Sequence, residues 1–194
     1  MTAELDALLA ELEAFGAQND AVVTDRPRRM LNITRDTGEL LAVLVKATRA
    51  RRVLEIGTSN GYSTLWLARA AQSIRGAVTT IEKAELKAGM ARATFARTGL
   101  GAVITLVHDD AGSVLARTTA GSVDLLFLDS ERSEYPGWWP DLKRVLPPGG
   151  LLVVDNATSH TEQMAPFVAL VTADRGFTTS LVPVGNGEFL AVKA

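Results

Sequence analysis

The chain has 194 residues, 20 of them Lys or Arg and 22 Asp or Glu, for a formal charge of −2. That length carries one domain with a substantial core. The near balance of charge argues against nucleic acid or an anionic membrane as a partner. Cysteine is absent, which rules out disulfides, thiolate metal sites and a cysteine nucleophile. No apolar run nears the roughly 20 residues that span a bilayer. The opening MTAELDALLAELEAF alternates charge and leucine; a basic start and a continuous apolar stretch would mark export, so a cytoplasmic setting is expected.

In chain order, Leu5, Leu8, Leu9, Leu12 and Phe15 fall on one face of a helix. The basic stretch Arg26-Pro27-Arg28-Arg29 follows, readable as a solvated loop or as a grip on an anionic acceptor tail. A second helix is expected over Asp36–Thr48, with Leu40, Leu41, Leu44 and Val45 inward. Residues 1–50 therefore read as a helical cap, and residues 51–194 as the main body of a single domain. Apolar runs of strand length follow at Val53–Ile56, Val78–Ile81, Ile104–Val107, Val123–Leu128 and Leu151–Val154, separated by segments of helical length. That order predicts a parallel sheet with helices on both faces. Phe177–Val184 and Glu188–Lys193 flank Gly185-Asn186-Gly187, a hairpin signal. The expected fold is thus α/β: a seven-stranded, mostly parallel sheet with one antiparallel strand in a C-terminal hairpin.

The first strand runs into Gly57-Thr58-Ser59-Asn60-Gly61-Tyr62-Ser63, and a helix follows. Glycines at such a turn let a ligand approach the backbone, and the helix N-terminus then faces an anionic group. The spacing Glu55-x-Gly57-x-x-x-Gly61 matches neither G-x-G-x-x-G nor a P-loop. Glu82 ends the second strand about 20 residues after Gly61, the offset at which an acid meets ribose hydroxyls. His108-Asp109-Asp110-Ala111 ends the third. Asp110 and the Ala111 amide suit an adenine edge, and a helix-capping role for Asp109 or Asp110 is equally natural.

Asp129 ends the fourth strand, and Asp155-Asn156 the fifth. In open α/β sheets the carboxyl ends of the strands are where ligands bind. Two carboxylates and an amide suit a hard divalent ion such as Mg²⁺, which would orient a substrate hydroxyl and lower its pKa. In the plainer reading, Asp129 meets a cofactor amine or caps a helix, and Asp155-Asn156 shapes a turn.

The pieces VLEIGTSNGYSTLWLA, TIE, HDDA, VDLLFLDSERSEY and LPPGGLLVVDN together resemble the cation-dependent O-methyltransferases, among them the catechol and caffeoyl-CoA enzymes. The resemblance runs from about Ile33 onward. It implies a Rossmann-like fold that binds S-adenosylmethionine (SAM), with Glu55, Gly57, Ser59, Gly61 and Ser63 around the methionine half. It places Glu82 on the ribose, Asp110 and Ala111 at the adenine, and Asp129, Asp155 and Asn156 around the metal. It also implies a homodimer and a small hydroxylated, catechol-like acceptor. Family members often carry Asp-Ala-Asp-Lys after the fourth strand, with the lysine a candidate general base; here the run is Asp129-Ser130-Glu131-Arg132. Arginine stays protonated, so Arg132 can stabilise an anionic oxygen but not take a proton. Base duty then falls to Glu131, to His160 or to hydroxide at the metal, or is unnecessary for an acidic phenol.

His160 is a base candidate or an ordinary loop histidine. Tyr135, Trp138 and Trp139 wall a flat acceptor or belong to the core or a dimer contact. The rival functions are a metal-independent methyltransferase on the same cofactor site and a catalytically silent SAM-binding module. A nicotinamide oxidoreductase is disfavoured by the glycine spacing and the hairpin.

Overall fold

The apolar runs form the middle of one seven-stranded sheet. The computed structural model describes residues 3–194, and its strands are β1 (Arg52–Ile56), β2 (Ala77–Glu82), β3 (Ile104–His108), β4 (Leu125–Leu128), β5 (Leu151–Val154), β6 (Phe177–Val182) and β7 (Glu188–Lys193). The order is β3-β2-β1-β4-β5-β7-β6, parallel through β5, with β7 antiparallel to both of its neighbours. This is the expected Rossmann-like arrangement. The order reverses between β1 and β4, so a crevice opens there at the carboxyl ends of the strands.

Alternate residues of each strand point to opposite faces. Val53, Phe127 and Val153 join a core with α1 (Ala3–Val22), α2 (Arg35–Thr48) and α3 (Tyr62–Ser73). Leu54, Leu126 and Leu152 join another with α5 (Ala111–Arg117), α6 (Tyr135–Val145) and α7 (Thr161–Ala173). The remaining helix, α4 (Glu85–Ala96), adds Ala91 and Phe95 to the first core. Leu8, Leu9 and Leu12 are buried as the helical spacing predicts, but Phe15 at the end of that stripe is exposed. In α2, Leu41 and Val45 are fully buried, and Leu40 and Leu44 half-buried.

Helix α2 starts at Thr34, whose hydroxyl accepts from Thr37 N at 3.3 Å, and packs against α3 through Gly38. A Cβ on Gly38 would stand 2.5 Å from the Trp66 indole nitrogen. The ring cannot retreat easily, since the Arg69 guanidinium lies 4.7 Å from its centroid and its own relative exposure is 2%. Gly38→Ala is therefore expected to destabilise the protein by about 1–3 kcal/mol through overpacking, seen as a lower melting temperature. An unchanged or raised melting temperature would show that α2 can shift away from α3.

Candidate active site

The turn after β1 is built from conformations that few residues adopt. Gly57 has φ +108 and Gly61 φ +91, and Ser59 between them sits at φ +50. A Cβ on Gly57 would collide with the Asp129 carbonyl oxygen, and one on Gly61 would stand 2.6 Å from the Phe95 ring. The turn is tied down on both sides. Ser59 N donates to Glu82 Oε2 (2.9 Å) and Ser59 Oγ to the Met30 carbonyl (2.8 Å). Gly57 N donates to the Ile81 carbonyl (3.0 Å). Glu82 also accepts from Ala84 N at 2.8 Å, so it joins the turn to the end of β2 while still facing the cavity.

Behind the turn lies a buried polar knot. Glu55 is fully buried and accepts from Ser63 Oγ (2.5 Å), Thr80 Oγ1 (2.6 Å) and Thr64 Oγ1. Burial pushes its carboxyl up to about 7, against the pull of the three hydroxyls. Of the residues expected around the methionine half, Gly57 and Ser59 line the cavity. Glu55, Gly61 and Ser63 stand behind its wall and hold the turn in shape.

At the other end of β1–β2–β3, Asp110 caps α5, its Oδ1 accepting from Ser113 N at 3.0 Å. Asp109 is paired with Arg117 at 2.6 Å. Asp110 and Ala111 line the cavity, and so does Trp138. A Cβ on Gly112 would stand 3.0 Å from the Trp138 indole nitrogen, which puts this ring at the Asp110 end. Its neighbours differ: Tyr135 and Trp139 are core residues that meet Phe167 edge to face.

The acids meet where β4 and β5 end side by side. Leu128 pairs with Val154, so Asp129 and Asp155 follow in register, and Asn156, at φ +69, turns back over them. Asn156 Nδ2 reaches Asp155 Oδ2 at 2.7 Å and Asp129 Oδ1 at 3.3 Å. Burial and the charge of Asp155 push Asp129 well up, and burial raises Asp155 as well. A further carboxyl, absent from the sequence reading, stands beside them. Glu188 opens β7 next to the Phe189–Val154 pair, is fully buried, and accepts from Thr37 Oγ1 at 2.9 Å. Burial and the Asp155 charge push it up to about 10. Asp155 Oδ1 and Glu188 Oε2 are both buried without a donor; one proton, held by Glu188 and donated to Asp155, satisfies both.

The hairpin closes the wall. Thr158 N and Ser159 N both donate to the Asn186 carbonyl (3.1 Å each), and Ala157 N donates to that of Gly187 (2.8 Å). Arg26, Pro27 and Arg28 of the basic stretch are exposed, as a solvated segment would be, yet Arg26 and the half-buried Arg29 also line the same cavity, of about 1080 Å³, with Arg132 and His160. His160 Nδ1 lies 2.9 Å from Ser159 Oγ. Burial and the charges of Arg132 and Arg26 lower its pKa, which favours its neutral form.

A glycine turn over a helix N-terminus, acids at four strand ends and this sheet order define a Rossmann-like methyltransferase. The model of the family described as O-methyltransferase matches residues 1–194, and the chain belongs to that family. A relative from Mycobacterium sp. (strain JLS), provisionally called an O-methyltransferase, is 32% identical over 97% of this chain and 93% of its own. The Bacillus cereus O-methyltransferase in complex with S-adenosylhomocysteine (SAH) superposes with a TM-score of 0.82 at 25% identity, over 97% of this chain and 91% of its own. TomG of Streptomyces achromogenes, an O-methyltransferase of tomaymycin synthesis in complex with SAM, gives 0.79 at 26%, over 100% and 91%. This chain is accordingly a SAM-dependent O-methyltransferase. No helix among the described residues is long and apolar enough to cross a membrane.

Proposed function

We propose that the protein methylates a hydroxyl of a small aromatic, catechol-like acceptor, with a divalent cation such as Mg²⁺ assisting. The observation that carries this reading is the convergence of Asp129, Asp155 and Asn156 at one end of the cavity. Two carboxylates and an amide suit a hard cation. Burial is the main reason the pKa of both acids is raised, with the charge of Arg132 pulling the other way. Asn156 would present Oδ1 after a half-turn of its amide, which now donates to the carboxylates. A divalent ion held there would orient the acceptor hydroxyl and lower its pKa.

SAM supplies an electrophilic methyl on sulfur, displaced in line by the acceptor oxygen. The Gly57–Gly61 turn and the N-terminus of α3 would receive its methionine carboxylate. Asp129 would also meet its amine, Glu82 its ribose hydroxyls, and Asp110 and Ala111 its adenine against Trp138. Arg132 would stabilise the anionic oxygen of the acceptor. Neutral His160 would take its proton. The same reading treats residues 1–50 as a cap on a single methyltransferase domain, and takes a cytoplasmic homodimer from the family resemblance.

Calorimetric titration with SAH tests this reading. Micromolar or tighter binding is expected with Mg²⁺, weakened by EDTA, and Asp155→Ala should lose the response to Mg²⁺. Binding indifferent to metal would favour a metal-independent methyltransferase, a reading that neutral His160 supports. No binding of SAH would overturn the proposal.

A further inference from the structure

Two guanidinium groups in the cavity wall lie near acids without pairing with them: the charge of Arg132 reaches Asp129 and Asp155, and that of Arg29 reaches Asp20. Arg132 is only 8% exposed, yet its side chain makes a single hydrogen bond, Nη1 to Gln163 Oε1 at 3.3 Å. Arg29, on the strap between α1 and α2, buries its Nε without a partner. Neither forms an ion pair within 4.0 Å among the described residues, and both line the cavity that holds Asp129 and Asp155. Nearby acids are engaged elsewhere. Glu131 pairs with Arg26 at 3.9 Å and accepts from Ser133 at 3.2 Å. Asp20 accepts from Met30 N (2.7 Å) and Leu31 N (2.8 Å).

A guanidinium cannot give up its charge, and a buried charge without a partner is costly. Its planar fork matches the two oxygens of a carboxylate. We propose that the acceptor is itself an organic anion: a small hydroxylated carboxylic acid whose carboxylate is gripped by Arg132 and Arg29 while its hydroxyl faces Asp129 and Asp155. This rests on the methyltransferase reading and narrows its substrate class. In the reaction the methyl passes from sulfur to the hydroxyl oxygen and the hydroxyl proton goes to His160. The carboxylate is unchanged, and SAH leaves.

The test uses the full chain loaded with SAH and Mg²⁺, titrated calorimetrically with 2,3- and 3,4-dihydroxybenzoate, 4-hydroxycinnamate and the neutral amide of each. At least one acid should bind about tenfold or more tighter than its amide, as a charge-assisted bidentate contact requires. Arg132→Gln and Arg29→Gln should each erase most of that preference, and Arg132→Lys should keep part of it. SAH affinity in Arg29→Gln should match that of the unaltered protein, showing an intact fold. If Arg132 only balances Asp129 and Asp155, acid and amide will bind alike, which overturns the proposal. So does an acid preference that survives both glutamine variants, or no acid binding at millimolar concentration. Tighter binding of the matching aryl sulfonate overturns the assignment to a carboxylate. Failure of SAH itself to bind is a different result and sinks the methyltransferase reading instead.

Discussion

Gly57→Ala is expected to weaken SAH binding by about a hundredfold or more, close to 2.7 kcal/mol. Two causes act together. At φ +108 an alanine is strained, which by itself costs on the order of 1–3 kcal/mol. The new methyl also meets the Asp129 carbonyl oxygen, with the carbonyl carbon at 2.8 Å and Ser130 Cβ at 3.4 Å. Asp129 N is bonded to the Ile56 carbonyl at 3.0 Å, so relief must separate β4 from β1 at the crevice. Gly149→Ala is the control. It has φ +78 but nothing within 4 Å of its Cβ, so it carries strain without collision, and SAH affinity should stay within about threefold of the unaltered protein. Calorimetry with melting curves on both variants decides the matter. Near-normal SAH binding by Gly57→Ala would mean that the turn relaxes without disturbing the cofactor site.

The second large effect concerns pH. Glu188 titrates near 4.5 in an unfolded chain and about 10 in the folded one. Across that window the folded protein keeps a proton that the unfolded chain has lost, so its stability falls as pH rises. Glutamine keeps the shape of the protonated carboxyl, accepts from Thr37 and donates to Asp155, and does not titrate. Between pH 5.5 and pH 8 the unaltered protein should lose stability relative to Glu188→Gln by on the order of 3 kcal/mol, one proton over 2.5 pH units. Urea unfolding of both proteins at the two pH values measures the difference. Glu55, with its own raised pKa, is present in both proteins and drops out of the comparison. Parallel pH profiles would show that Glu188 is ionised in the folded state.

Strands buried on both faces were the most legible part of the sequence, because LLFL and LLVV leave no polar face, VLEI carries a single acid, and short lengths exclude helices. The hairpin was legible through Gly185 and Gly187, which both adopt positive φ. Which side chains face the cavity was less so. Glu55 sits in the most specific motif, yet period-two alternation sends it to the Val53 side, towards Ser63 and Thr64 of α3. Arg26, Pro27, Arg28 and Arg29 carry no apolar periodicity, so nothing local separates a solvated loop from a strap across a cavity. Glu188 begins the apolar run EFLAVK, where a charged residue usually marks a strand end in water. Its burial follows from the neighbours β5 and α2, which are distant in sequence.

Thr37 and Glu188 meet across 151 residues of chain. Gly57, Glu82 and Asp110, by contrast, belong to consecutive strand–helix units. Loop closure makes distant pairings the slower ones to form. If the proposed site is right, the two halves of one cavity would have different histories in a refolding molecule: the end assigned to the nucleoside would take shape while the chain is still open, but the end assigned to the acceptor would wait for β7 to arrive. A partly assembled molecule would be able to hold its methyl donor before it had anywhere to spend it.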